Sequence, residues 1–128
     1  MTATAEAKRL AQIAAQAALD LNGHDIVALD VSGTNPFADI FVVVTGSSDR
    51  NVVAIADAVQ DAMVENGVKM RGREGRELGE WVLQNFGDVV VHTFQEESRD
   101  FYALERIWNT APVVELDLHD GVESTSAR

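Results

Sequence analysis

The sequence predicts one α/β domain, with helices packed on a mixed sheet of about five strands. Three observations point there. Stretches of helical periodicity alternate with short β-branched runs. Residues 39–45 are apolar on both faces, with Ile40, Val42 and Val44 set against Phe41 and Val43, as in a central strand covered on both sides. Residues 79–92, GEWVLQNFGDVVVH, read as two strands folded back at Asn85-Phe86-Gly87-Asp88, the turn composition a hairpin needs.

Taken in order, Leu10, Ile13, Ala14, Ala17 and Leu21 recur at helical spacing over residues 3–21, and Asn22-Gly23 supplies the stop. A strand follows over 25–31, with Val27, Leu29 and Val31 on one side. The loop 32–36 leads into the two-faced strand. Thr45-Gly46-Ser47-Ser48-Asp49 opens a second helix over 49–66, striped by Val52, Ile55, Ala56, Val59 and Met63, with Ser47 or Ser48 as N-cap. A strand over 68–73 then completes a strand–helix–strand unit, expected to be parallel with a right-handed crossover. After a charged loop and the hairpin, Glu96-Glu97-Ser98 starts a third helix, expected to reach Trp108. Ala111-Pro112 breaks it, and residues 113–116 suit a short edge strand. The domain is expected to span 1–116, with 117–128 a polar, disordered tail.

Composition narrows the function. A chain of 128 residues with 46% hydrophobic and 24% charged content is ordinary for a globular domain. Its net charge of −11 disfavours free DNA or RNA and favours basic proteins or cations. Lys69, Arg71, Arg73 and Arg76 cluster, but Glu74, Glu77 and Glu80 offset them. The absence of cysteine excludes disulfides, thiolate metal sites and a cysteine nucleophile. The N-terminal stretch has no apolar signal core and carries Glu6, and no run approaches a membrane span. The expectation is a cytoplasmic protein.

The catalytic inventory is thin. The Gly46-Ser47 turn before a helix suits a phosphate through backbone N–H groups and the helix dipole, or it is plain helix capping. Nucleotidyl transfer also needs paired metal-binding carboxylates. Residues 68–73 carry no acid, Asp88 stands alone on its strand, and the nearest spacing is Asp117-Leu118-His119-Asp120. His24, His92 and His119 lie on separate elements without ligand spacing. His92 alternates with Val90 and Phe94, as a hydrogen-bonded, semi-buried side chain would. No serine sits in a Gly-x-Ser-x-Gly elbow. The expectation is a non-enzyme with no cofactor and no metal.

Two aromatic positions stand out instead. In the last helix Phe101, Leu104, Ile107 and Trp108 form the core stripe, while Tyr102 lies off it and shares a face with Arg99 and Arg106. Tyrosine between arginines is a composition that protein interfaces favour, although Tyr102 lying over its own arginines fits the spacing equally. Trp81 alternates with Leu83, opposite Val82, Gln84 and Phe86. Spacing leaves it open between core and contact surface, leaning towards core.

Several stretches together resemble the Iojap family of bacterial ribosomal silencing factors. They are 25–31 (DIVALDV), 45–50 (TGSSDR), 55–57 (IAD), 75–80, 81–83 (WVL), 87–92 (GDVVVH) and 101–108 (FYALERIW), and the resemblance covers residues 10–115. Asn35-Pro36-Phe37-Ala38 and Gln84-Asn85 depart from the family pattern near turns, and Phe86 stands where Leu or Tyr is common. The resemblance implies a nucleotidyltransferase-like topology without the catalytic carboxylates. It also implies binding to the large ribosomal subunit through its protein fourteen. The bound factor would block joining of the small subunit and lower translation when nutrients are scarce, and free members of the family form dimers. With the spacing argument it gives Trp81, Phe86, Arg99, Tyr102 and Arg106 as the expected partner-binding set. The competing reading is a nucleotide-binding enzyme of nucleotidyltransferase type using the Gly46-Ser47 turn. A small dimerising scaffold, with its exposed aromatics pairing with a second copy, is the third.

Overall fold

Helix α1 (Ala5–Asp20) starts where the Thr4 hydroxyl accepts a hydrogen bond from the Ala7 N–H, the usual way of satisfying a free first-turn donor. Its N-terminal lead-in is fixed by two carboxylates. Asp30 accepts from the Ala3 N–H at 2.8 Å and Asp39 from the Thr4 N–H at 3.0 Å. The buried face of α1 is Ala7, Leu10, Ala11, Ala14, Ala15 and Ala18, small side chains that let its axis lie close to its neighbours. The computed structural model describes residues 2–99 and 110–119, the side chains of Ser98 and Arg99 excepted.

The chain continues through β1 (His24–Asp30), β2 (Ile40–Gly46), α2 (Asp49–Glu65), β3 (Gly72–Glu74), β4 (Trp81–Asn85), β5 (Val89–Gln95), α3 (Glu96–Arg99) and β6 (Val113–Val114). The strands form one sheet in the order β3-β4-β5-β2-β1-β6. The β2–β5 pair is parallel and every other pair is antiparallel. The mixed α/β sheet is therefore as expected, and the short edge strand expected over 113–116 is present as β6, the sixth strand.

One expectation about the crossover is corrected. Residues 68–73 do not form the parallel neighbour of β2. The strand there is only Gly72–Glu74, fully exposed, and it pairs with β4 at the far edge. The place beside β2 goes to β5, whose Val89, Val91, Thr93 and Phe94 are buried. A three-residue strand of glycine and charged residues cannot cover an apolar strand, and a valine-rich one can. The parallel connection thus encloses α2, β3 and β4.

Helices α1 and α2 cover one face of the sheet, against Ala28, Ile40, Val42, Val44, Val89 and Val91, with Val82 held by Val52 and Ala56 of α2. The opposite face carries Leu29, Val31, Val43 and Phe94, with Val27, Phe41, Trp81 and Val90 partly buried beside them. Strand β2 is apolar on both faces because it feeds both clusters. Of the expected third helix, Glu96–Arg99 is observed, and residues 100–109 lie outside the described residues. Of the expected tail over 117–128, residues 117–119 are described and are held against α1, and 120–128 lie outside the described residues. Leu116 and Leu118 pack on the α1 cluster, and Asp117 and His119 are hydrogen-bonded to α1. The alternation of Val114, Leu116 and Leu118 had been hidden by the charged residues between them.

Candidate docking site around Trp81

The period of two along β4 puts Trp81 and Leu83 on the face opposite the helices, while Val82 and Gln84 point into the α2 side. Register then decides what Trp81 meets. It lies opposite Phe94, and Leu83 lies opposite His92. The indole stacks on Phe94 at 5.0 Å between ring centroids, and its Nε1–H donates to His92 Nδ1 at 3.1 Å. Phe41, from β2, meets the same imidazole edge-on at 4.8 Å. Trp81, Phe94, His92 and Phe41 thus make an aromatic row across β4, β5 and β2. Such cross-strand aromatic contacts add roughly 0.5–1.5 kcal/mol each beyond their buried area.

His92 is 4% exposed. Burial pushes its pKa down to about 4, because a charged imidazole would lose its hydration without gaining a counter-ion. The ring is therefore neutral at pH 7. Since Nδ1 accepts the indole proton, the imidazole hydrogen resides on Nε2. The result is a tryptophan whose indole N–H is paired within the chain and which as a residue is half-buried. The sequence reading posed core and contact as alternatives, and the register makes them compatible.

Two glycines hold the start of β4. Gly75 has φ +87°, and a Cβ there would come within 1.9 Å of the Trp81 carbonyl oxygen; no other residue fits. Gly79 has φ +69°, and a Cβ there would come within 2.8 Å of the Asp49 carbonyl oxygen. Between them, Arg76 makes a two-pronged ion pair with Asp57 of α2, at 2.7 and 3.0 Å. That pair, hydrogen bond first, holds the Asp57 carboxyl below the usual carboxylate range. Gln95 closes the other side, donating its backbone N–H to the Glu80 carbonyl and its side-chain amide to the Gly79 carbonyl. The charged loop that offered no chemistry in the sequence is a bracket for Trp81.

The other expected contact residues fare differently. Phe86 is corrected: it is 3% exposed and packs with Val89 and Val91 in the α1 cluster. It follows Val82 and Gln84 at the β period, so it falls on the face opposite Trp81. Tyr102 and Arg106 lie outside the described residues, as does the side chain of Arg99. The residues that sequence reasoning missed are Phe41, which lies two strands from Trp81, and His92 as the partner of the indole. The alternation of His92 with Phe94 was legible; the pairing that brings both to Trp81 was not.

The Gly46-Ser47 turn is organised for its own helix. The Ser48 hydroxyl accepts from the Asn51 N–H at 3.0 Å, and Asn51 Oδ1 accepts from the Ser47 N–H at 2.9 Å. The Arg50 N–H is taken by the Asp49 carboxylate at 2.7 Å. Donors that a phosphate would need are thus engaged, and Asp49 sets a negative charge at the same helix end. Among the described residues, no group of three or more His, Cys, Asp or Glu side chains gathers as a metal site.

Fold and site together define a small mixed α/β domain that holds a braced tryptophan on the sheet face opposite α1 and α2. Comparison with known proteins gives the family. The family model described as "Ribosomal silencing factor during starvation" matches residues 4–128. The ribosomal silencing factor of Bacillus subtilis is 43% identical over 110 residues, covering 86% of this chain and 93% of that protein. The maize chloroplastic protein Iojap is 31% identical over 112 residues, 88% of this chain and 49% of that longer protein. A crystal structure from Chromobacterium violaceum superimposes with a TM-score of 0.77 at 38% identity, covering 89% of this chain and 92% of that one. The chain belongs to the ribosomal silencing factor family, of which the Iojap proteins are relatives.

Proposed function

We propose that this protein represses translation by binding the large ribosomal subunit through its protein fourteen and obstructing the small subunit by bulk. The reading extends to its setting: a cytoplasmic factor acting when nutrients are scarce. The observation that carries it is Trp81, a residue type enriched at interface hot spots, half-buried and held in one orientation by Phe94 and His92. A net charge of −11 complements a basic ribosomal protein and speeds encounter with it. Tyr102, flanked by Arg99 and Arg106, is proposed as the second anchor. Occlusion needs affinity and volume and no catalytic group, so the reading calls for no cofactor.

The test is co-sedimentation of the purified protein with isolated large subunits, followed by the yield of joined ribosomes when small subunits are added. Trp81→Ala is expected to weaken binding by about 2 kcal/mol, roughly 30-fold, with an unchanged far-UV spectrum. Tyr102→Ala is expected to act in the same direction. Parent-like binding by both folded variants would reject this surface. The nucleotide-enzyme reading loses its anchor, since the Ser47 and Arg50 N–H groups are engaged within the chain.

A further inference from the structure

The outward face of α1 carries Gln12 and Gln16 one turn apart, and both side-chain amides are spent on the same stretch of main chain. Gln12 accepts from the Asp117 N–H at 2.8 Å and donates its amide to the Asp117 carbonyl. Gln16 accepts from the His119 N–H at 2.9 Å and donates to the His119 carbonyl at 2.7 Å. Each glutamine pairs with both the N–H and the C=O of one residue, as a neighbouring strand would. The spacing explains why this works. An i, i+4 step on a helix advances about 6 Å, and two residues of extended chain advance roughly 6.7 Å.

The side chains of this stretch complete the picture. Residues 113–119 alternate between exposed and partly buried, so Val114, Leu116 and Leu118 face the α1 cluster beside Ile13 and Ala17. The apolar contacts supply adhesion, and the glutamines read the backbone without regard to sequence. Val113 and Val114 remain paired to β1. Beyond them, among the described residues, no strand pairs with the segment; the Gln12 and Gln16 side chains hold its backbone instead.

We propose that the Gln12–Gln16 face of α1 is a binding groove for extended peptide, occupied in cis by this chain's own residues 115–119 as a strap over Ile13 and Ala17. Native-state amide exchange on the full chain, resolved by NMR, tests it. In an extended segment successive N–H groups point to opposite sides, so Asp117 and His119 are expected to exchange slowly and Leu118, between them, fast. In the double variant Gln12→Ala/Gln16→Ala both slow amides are expected to accelerate about tenfold or more, while β5 amides keep their parent rates. Gln16→Glu retains the acceptor for the His119 N–H but sets an oxygen against the His119 carbonyl, so it is expected to release His119 more than Asp117. Equal exchange of residues 117, 118 and 119 in the parent would overturn the proposal, and so would parent-like rates in the double variant. Protection that fades on dilution would assign the strap to a second copy and overturn the cis arrangement.

Discussion

Acidification from pH 7.5 to pH 5.0 is expected to weaken the fold through one residue, His92. Its imidazole has a pKa of about 4 in the folded chain against an ordinary 6.5. Between these values the unfolded chain binds a proton that the folded chain refuses. Stability is then fully present above pH 6.5 and is lost as the pH falls towards 4. At pH 5.0 the linkage removes about 2 kcal/mol, which for a domain of this size lowers Tm by roughly 6–10 °C. The two carboxylates Asp30 and Asp57 do not share this window. Asp30 is held below the usual carboxylate range by Ser32 and the Ala3 N–H, and Asp57 by Arg76, so their contributions disappear only at lower pH. Urea denaturation followed by circular dichroism at both pH values measures the effect. His92→Phe keeps a ring in the row but cannot protonate, so its stability is expected to change little between the two pH values. Equal parent stability at pH 5.0 and 7.5 would refute the assignment, as would an unchanged pH slope in His92→Phe.

Substitutions at three further positions probe the scaffold, each by urea denaturation at pH 7.5. Gly75→Ala forces a methyl group against the Trp81 carbonyl at a positive φ and is expected to cost about 3 kcal/mol. Gln84 is fully buried, donates to the Ala56 carbonyl of α2 at 2.8 Å and leaves its Oε1 unpaired. Gln84→Ala is expected to cost about 2–4 kcal/mol, while Gln84→Met, which keeps the volume and removes the orphaned oxygen, costs about 1 kcal/mol or less. Asp30→Asn weakens the acceptor shared by the Ala3 N–H, the Ser32 N–H and the Ser32 hydroxyl, for a loss of about 1–2 kcal/mol.

Legibility in the sequence followed the range of the interactions. The two long helices and the hairpin were readable because periodicity and turn chemistry act within a few residues; Ser48 at the N-cap and Asn22-Gly23 at the C-terminus are such signals. The order of strands was not readable, because residues 68–73 and 89–95 both look extended. Only competition for β2 decides between them, and burial favours the valines of β5. The same reason hid the strap. Leu116 and Leu118 alternate with the acids Glu115 and Asp117, and their value depends on α1, about 100 residues away in sequence. At the candidate site, Trp81 was singled out by composition and resemblance, whereas Phe86, expected beside it, is buried on the other face. Resemblance carries a residue type across, but the strand period assigns the face, and Phe86 shares its face with Val82 and Gln84.

The bracing of Trp81 also bears on how a partner would use it. An exposed tryptophan free to rotate loses side-chain entropy when it is captured, about 0.5–1.5 kcal/mol per ordered side chain. Here Phe94 and His92 have already fixed the ring. Because the indole N–H is paired inside the chain, a partner gains by covering the ring rather than by accepting a hydrogen bond from it. The recognition this geometry favours is therefore an apolar pocket, with charge complementarity around it setting the encounter rate. Under the proposed function, His92 would act on binding by positioning Trp81. Loss of its Nδ1 acceptor would leave the Trp81 N–H unpaired; protonation of the folded ring, which would do this, sets in only near pH 4, below the window in which the proton on the unfolded chain already weakens the fold.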